Sequence, residues 1–540
     1  MSMEFDRGGN DNAERTPVLV VGGGPAGLVA AITLARHGVP SMLIERHRGT
    51  SVFPRATGVS TRTMEILRGW GLEDRVRAGA FHALPMARVA ETLASPDHVA
   101  IPLGFPTDEE ALAVSPTTPA IAPQDHLEPV LLEHLRTFGT DVRFATELES
   151  FEQDATGVTS ILVDRASGLR STVRSRFLVG ADGAHSSVRA RLGIPMHGAD
   201  HLEEYVSTLF TAPLSRVAGD PMYGLNMIAG PAGPAVFLPT SAQHRWVFAR
   251  PWDPSSERVE DYTEARITEL IRAAAGVPEL APRIIRVMAF SFAAQIAERY
   301  REGNAFLVGD AAHRITPRGG TGMNTAIHDA FNLAWKLAFV VRGCAAPALL
   351  DTYEVERRPV GERNTARSAG GSEQGTADGL AEDLGVTFEE GAVIADESAV
   401  DAFGQWQPSA RPGARAPHLW LERDGHRFST LELFDTGLTV LAGSEGSAWR
   451  QAAMQIRVEA QLPLRFHQIG QNGELFDPRG RFETLYGIGS DGAVLVRPDG
   501  YVAWRARSAG AHDARAELYR GVVAALGLAS IRPQVTEKAA

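Results

Sequence analysis

Short apolar runs and helical spacing alternate along this chain, and the first such change lies near its start. Val18 to Val21 is an apolar run of buried-strand type, an Ala- and Leu-rich stretch of helical spacing follows, and Met42 to Ile44 is a second apolar run. Strand, helix and strand in about thirty residues predict a βαβ unit. Between the first strand and the helix stand Gly22, Gly24 and Gly27 at G-x-G-x-x-G spacing, and Glu45 ends the second strand. Gly22 permits the tight turn, Gly24 lets the backbone approach a pyrophosphate, and Gly27 lets helix and strand pack closely. The helix N-terminus offers unpaired N–H groups and its positive dipole end to phosphates. Glu45 is placed to accept hydrogen bonds from a ribose, which argues against a 2′-phosphate nucleotide.

Further along, Phe53-Pro54-Arg55 forms a loop that can aim a guanidinium at a diphosphate, and Thr63 to Trp70 reads as a helix. Ala80 to Pro116 alternates and is broken by Gly and Pro, so strands are expected there. Pro123-Gln124 opens a helix with Leu127, Val130, Leu131 and Leu135 on its apolar side, and Gln124 can cap it or reach a ligand. Phe177 to Val179 predicts a buried strand, followed by an Asp182-Gly183 turn and a basic helix with Ser186 and Arg189. Thr208 to Ala212 and Ala235 to Leu238 read as strands, with a helical interval at Tyr262 to Ala275; this region is the expected substrate half.

A second organising stretch begins at Asn304. Ala305 to Val308 reads as a strand, Asp310 stands at its carboxyl end, and Pro317 to Asn324 is a glycine-rich loop. Asp310 suits a sugar hydroxyl, and the loop's N–H groups suit a polar ring edge or a developing anion. A helix follows, with Ile327, Ala330, Phe331, Ala334, Leu337, Ala338 and Val341 on one face. Asp351 onward is helical up to Pro359, and Ser368 to Arg415 reads as a linker with some local structure. Then come a strand at Leu438 to Leu441, a hairpin turning at Pro498-Asp499-Gly500, and a helix over about Ala514 to Leu526.

At 540 residues the chain exceeds one core, so two or three domains are expected. A formal charge of −12 and a pI near 5.8 argue against nucleic acid or an anionic membrane as partner. Cys344 is the sole cysteine, which excludes an internal disulfide or dithiol pair and fits a reducing, cytoplasmic setting. The polar start predicts a loose tail over roughly the first fifteen residues rather than a secretory signal. Basic residues are almost all Arg, with Lys only at 336 and 538.

Three separated stretches, GGGPAG with Glu45, VGADGAHSSVR, and GDAAHRITPRGGTGMNTAIHDAFNLAWKL, together resemble the FAD-dependent single-component aromatic hydroxylases, the p-hydroxybenzoate hydroxylase-like flavoprotein monooxygenases. The resemblance runs from about Thr16 to Pro359. Arg411-Pro412-Gly413 leading into Ala416-Pro417-His418 is similar to the thioredoxin-like C-terminal domain of the phenol and polyketide hydroxylase branch. Thr316-Pro317-Arg318 departs from the two consecutive prolines of many relatives. The implied fold is α/β: a Rossmann-like FAD-binding domain (16–79, 117–195, 287–400) interwoven with a β-sheet substrate domain (80–116, 196–286), plus a thioredoxin-like domain over 411–537.

The resemblance also implies site roles. Gly22, Gly24 and Gly27 would hold the FAD pyrophosphate and Glu45 the adenosine ribose, with Ala26 and Arg46 in the same cofactor set. Arg55 and Gln124 would meet the diphosphate and ribityl region, and Asp310 the ribityl chain. Gly320, Gly322, Met323 and Asn324 would lie against the isoalloxazine, and Pro317 and Leu148 belong to the same cofactor set. Asp182, Gly183 and Arg189 would serve FAD and transient NAD(P)H contact.

The implied chemistry is FAD reduction by NAD(P)H, reaction with O2 to a flavin C4a-hydroperoxide, and hydroxylation of a phenol or polycyclic aromatic polyketide by a monomer or homodimer. Baeyer–Villiger insertion on the same scaffold, a non-oxygenating FAD oxidoreductase and a non-catalytic flavin-bearing binding protein are the alternatives. The Trp-x-Trp-x-Ile-Pro element of flavin halogenases is absent. No metal site is expected. His313 reads as a structural neighbour of the flavin loop, and the substrate base is unassigned.

Overall fold

A computed structural model describes residues 13–219, 222–230, 233–241, 244–370, 378–396, 406–471, 473–509 and 513–529. The first element is strand β1, Glu14–Val21, whose last four residues are buried. It begins inside the expected tail, because Glu14 to Thr16 pair in parallel with Val173 to Ser175. The part of that tail up to residue 12 lies outside the described residues. Helix α1 (Pro25–Arg36) follows, then β2 (Ser41–Glu45), helix α2 (Thr61–Gly69) and helix α3 (Gln124–Arg136). Strand β3 (Arg170–Gly180), strand β4 (Ala305–Leu307), helix α4 (Gly322–Val341) and helix α5 (Thr352–Ala369) complete the scaffold of the first layer. In that sheet β4, β3, β1, β2 and Asp141–Phe144 run parallel in this order. Helix α1 packs between α3 and α4, which explains why nearly all of its residues are buried.

A second 8-stranded sheet runs in the order His313–Arg314, Arg283–Ala297, Met196–Thr211, Arg245–Pro251, Ala235–Pro239, Tyr223–Ile228, Leu84–Ala90, His98–Pro102. Helix Glu264–Ala275 lays Ile267 and Ile271 against one of its faces, where Val206, Phe210, Phe237 and Phe248 form a core. A third, 4-stranded sheet lies near the C-terminus. No helix among the described residues is long and apolar enough to cross a membrane.

The local patterns place most elements correctly, and three further segments differ from expectation. The region 80–116 holds, besides its strands, the helix Asp108–Val114, opened by a capping box in which Thr107 and Glu110 satisfy each other's backbone N–H. Helix α5 does not stop at Pro359 but runs through it to Ala369. An interior proline costs a helix about 3 kcal/mol, and tertiary contacts outweigh it here: Glu356, Arg357, Val360 and Gly361 are all buried. The expected linker contains helix Gly379–Leu384, and Asp383 accepts the backbone N–H of Thr61 at 2.6 Å. Parts of that linker, 371–377 and 397–405, lie outside the described residues.

Buried charges join these layers. Glu356 of α5 accepts Lys336 of α4 at 2.7 Å and both Nη atoms of Arg497, at 2.7 and 2.8 Å. Arg497 and Asp499 belong to the predicted hairpin turn, and Asp499 also accepts Asn332 and Trp335 of α4. Glu65 of α2 holds Arg62 and, from the C-terminal part, Arg415. Burial alone would raise the Glu356 carboxyl, but Arg497 and Lys336 overrule it and hold it down at about 2. Its folded value therefore lies below the ordinary 4.5, so its stabilisation is complete above pH 4.5 and is lost as pH falls towards about 2. Glu356→Ala is expected to cost about 3–5 kcal/mol, since Lys336 loses its buried carboxylate and Arg497 one of its two. Unfolding measured from pH 7 down to pH 3 should show this cost and a flatter acid dependence in the variant; an unchanged profile would remove Glu356 from this role.

Candidate active site

The glycine turn after β1 is shaped by neighbours as much as by its own conformation. Gly22 has φ +113°, and a Cβ there would lie 2.2 Å from the Ala181 carbonyl oxygen, at the end of β3. A Cβ on Gly27 would lie 1.9 Å from the Gly22 oxygen. These two glycines let β3, the turn and α1 touch backbone to backbone. Gly24 differs, because no atom lies within 4 Å of its Cβ position and no side chain caps α1. The first turn of α1, with Ala26, thus presents an open, donor-rich end of the kind that suits a phosphate. Glu45 stands beside it: its carboxylate accepts Gly23 N–H at 2.8 Å and His47 N–H at 2.8 Å. Its Oε1 also meets His47 Nδ1 at 2.5 Å, so Oε2 is the oxygen that keeps a lone pair for a further donor such as a ribose hydroxyl. Arg46 is exposed just after β2.

Asp310 forms a second wall. It sits in a single 3-10 turn after β4, and Gly309 brings that turn against α4, since a Cβ there would lie 2.8 Å from that of Ala326. The Asp310 side chain is accessible yet deeply enclosed, and this enclosure raises its carboxyl above the ordinary value, with His313, Arg55 and Arg314 pulling it back. Arg55 is exposed in the loop between β2 and α2, and the Gln124 N–H binds the Ala56 carbonyl of that loop at 2.8 Å. Gln124 Nε2 donates to Glu128 at 2.7 Å, and Glu128 accepts Ser51 N–H at 2.6 Å, so one carboxylate ties α3 to the Arg55 loop.

Other predicted residues serve the frame. The Asp182 carboxylate accepts Ser187 and the Val188 N–H, both at 3.1 Å, and Gly183 turns the chain with φ +80°. Arg189 donates to the carbonyls of Ala311 at 2.9 Å and Ala184 at 3.1 Å, which binds this turn to the one bearing Asp310. Leu148 is 4% exposed, in register with Leu162, and belongs to the hydrophobic core. Met323 is half-buried against the same core. His313 is fully buried with Nε2 2.6 Å from Asp329, as its structural reading requires.

The loop Pro317 to Thr321 is exposed up to Gly320, and Asn324 locks its end. Asn324 Oδ1 accepts Ser60 N–H and the Thr63 hydroxyl, both at 2.9 Å, while Nδ2 donates to the Gly58 and Gly320 carbonyls at 3.1 and 3.2 Å. The side chain is therefore saturated within the protein, and it shapes the loop through the Gly320 carbonyl. Gly322 begins α4 beneath it.

The sequence named no residue for the substrate side, only the regions 80–116 and 196–286, and most strands of the second sheet come from those regions. Its first strand, His313–Arg314, leads directly into the loop. On the face opposite the Phe210 core, Phe53 packs with Leu209 and Val247, next to Leu238 and Met288. Tyr205 stacks on Phe290 and Phe292, at 5.6 and 4.7 Å between ring centres. Arg318, from the loop, lies over Phe292 at 5.8 Å and pairs with Glu203, which accepts the Tyr205 hydroxyl at 2.9 Å. Burial, then Glu203, pushes the Tyr205 phenol up to about 12. The apolar residues of Met196–Thr211 do not alternate at period 2, so strand pairing rather than sequence pattern shows which face meets the loop.

Comparison with known proteins agrees with this geometry. Residues 15–368 match the FAD binding domain family, and residues 409–527 match the aromatic-ring hydroxylase C-terminal family. The chain belongs to the FAD-dependent aromatic-ring hydroxylases. A putative polyketide hydroxylase of Streptomyces halstedii is 39% identical, the match covering 94% of this chain and 96% of the relative. A tetracenomycin A2 monooxygenase-dioxygenase of Streptomyces glaucescens is 38% identical, over 92% and 94%. A crystal structure of aklavinone-11 hydroxylase with FAD and aklavinone superposes with a TM-score of 0.85 at 37% identity, covering 96% of this chain and all of that one. A flavin-dependent monooxygenase solved with FAD and substrate gives 0.87 at 35% identity, covering 95% and 99%. As a member of this hydroxylase family the chain is an aromatic monooxygenase with FAD as cofactor.

The two glycines at α1 separate folding from ligand approach. Gly27→Ala overpacks the turn and is expected to cost about 1–3 kcal/mol, whereas Gly24→Ala should stay within about 0.5 kcal/mol of the parent and still retain less FAD. Thermal unfolding with flavin absorbance per chain checks both; full flavin retention in Gly24→Ala would remove the open end of α1 from the FAD site.

Proposed function

We propose that this enzyme hydroxylates a polycyclic aromatic polyketide, using NAD(P)H as reductant and O2 as oxygen source. The observation that carries this is the aromatic face of Tyr205, Phe290 and Phe292 set against the loop by Arg318. A flat apolar face suits a fused ring system, and the relatives named above act on such compounds by name. The open end of α1 receives the pyrophosphate, Glu45 the ribose, and Asp310 the sugar-like chain next to the flavin ring. Arg55, whose charge reaches Asp310, faces the diphosphate. When bound, FAD supplies hydride acceptance and oxygen transfer. The chain's part is orientation and exclusion of water: Asn324 orders the loop, and Phe53, Leu209 and Val247 keep the sheet face dry. Tyr205 remains a protonated donor at neutral pH, and Glu203 is the carboxylate beside it.

The C-terminal sheet supports a thioredoxin-like reading of that part. Leu464–Gln468, Leu438–Ala442, Ala493–Val496 and Val502–Ala506 are neighbours in this order, the first pair parallel and the others antiparallel, with helices Ser447–Ala460 and Ala514–Ala525 packed on them. Cys344, the sole cysteine, lies outside it, so this part cannot carry out dithiol redox chemistry.

Two measurements test the reading. The yellow protein should oxidise NAD(P)H faster with an aromatic polyketide present and yield a product heavier by one oxygen with its rings intact. No ligand stimulation, or an expanded lactone ring, would overturn it. Asp310→Ala should purify with less FAD than the parent; full occupancy would withdraw Asp310 from the site.

A further inference from the structure

The hydrogen-bond chain behind Asn324 continues one residue deeper. Thr63 Oγ1 lies 2.9 Å from Asn324 Oδ1 and 3.0 Å from His328 Nε2. The Asn324 amide can face only one way, because turning it over would set its NH2 against the Ser60 N–H and its oxygen against two carbonyls. Asn324 Oδ1 is thus an acceptor, and the single Thr63 hydroxyl proton goes to it. His328 Nε2 must then carry a proton of its own and donate to Thr63. Burial, reinforced by Arg357 and Arg62 and opposed by Asp329, holds this imidazole well below its ordinary value, so it is neutral. The ring also lines a small cavity with Arg62, Asn332, Arg357, Asp499 and Tyr501, beside the C-terminal hairpin turn.

We propose that His328 is a positioning residue for the glycine-rich loop, donating through Nε2–H to Thr63 and so fixing the Asn324 amide that holds the Gly320 carbonyl. This rests on the reading that the loop frames the flavin. His328 touches neither cofactor nor substrate; it acts through Thr63 and Asn324.

Glutamine and leucine separate the donor from mere bulk, since Gln carries an amide N–H at a similar reach and Leu carries none. In full-length holoenzyme, His328→Leu should weaken FAD binding, and raise the share of NAD(P)H consumed without product, by roughly three- to tenfold, the size of one net hydrogen bond, with His328→Gln within about twofold of the parent. Equal impairment of both variants, or a Leu variant like the parent, would overturn the proposal. Nitrogen-15 histidine spectra of the parent, assigned by loss of the signal in His328→Gln, give a readout independent of turnover. They should show the neutral Nε2–H tautomer at pH 7, and an Nδ1–H or doubly protonated ring would overturn the assignment. If that tautomer and the FAD-binding contrast hold while the parent shows no ligand-stimulated oxidation, the proposed function fails and the donor role stands.

Discussion

Helix α4 is the part on which the site depends, and two neighbouring residues of α5 hold it. Glu356 reaches Lys336, and Arg357 reaches Asp329 at 2.7 Å. Asp329 and Lys336 are two helical turns apart on one side of α4, so the two ion pairs together set both the position of α4 along its axis and its rotation. The rest hangs from this clamp. Asp329 also binds His313 and, at 3.3 Å, the Gly309 N–H, which locates Asp310. The N-terminal end of α4 carries Asn324 and the loop, and Glu356 fastens the C-terminal hairpin through Arg497.

Buried charges are a costly way to join helices, and an apolar contact of similar volume often holds as well. Their distinction is direction. Hydrophobic burial is indifferent to small rotations, whereas a guanidinium fork on a carboxylate accepts few arrangements. The proposed function needs that direction, because in it the loop meets a planar ring on one side while the sheet face holds the substrate on the other.

The candidate site lies where the two large sheets meet. The parallel sheet brings Gly24, Glu45 and Asp310 to the carboxyl ends of β1, β2 and β4, where open α/β sheets bind ligands. The second sheet contributes an aromatic face, and its edge strand His313–Arg314 is also the entrance to the loop. One short strand therefore joins the aromatic sheet to the glycine-rich loop.

Much of this was legible in the sequence, for a definite reason. The period of apolar residues, the glycine spacing and the acid after β2 are local properties, and local properties survive whatever the rest of the chain does. They determined the βαβ opening, the strand before Asp310, the long helix after the loop and, through three separated motifs, the family. The capping box at Thr107 and Glu110 was also readable, although alternation in the region argued for strands. What only the tertiary structure decided depends on contacts between distant residues. Helix α5 passes Pro359 because Glu356 and Arg357 find partners on α4, and Asn324 serves as a hub because Ser60, Thr63 and Gly58 meet it across more than 260 residues. The direction of the Tyr205 face was likewise open, since a strand has two faces and only packing selects the one that becomes the site.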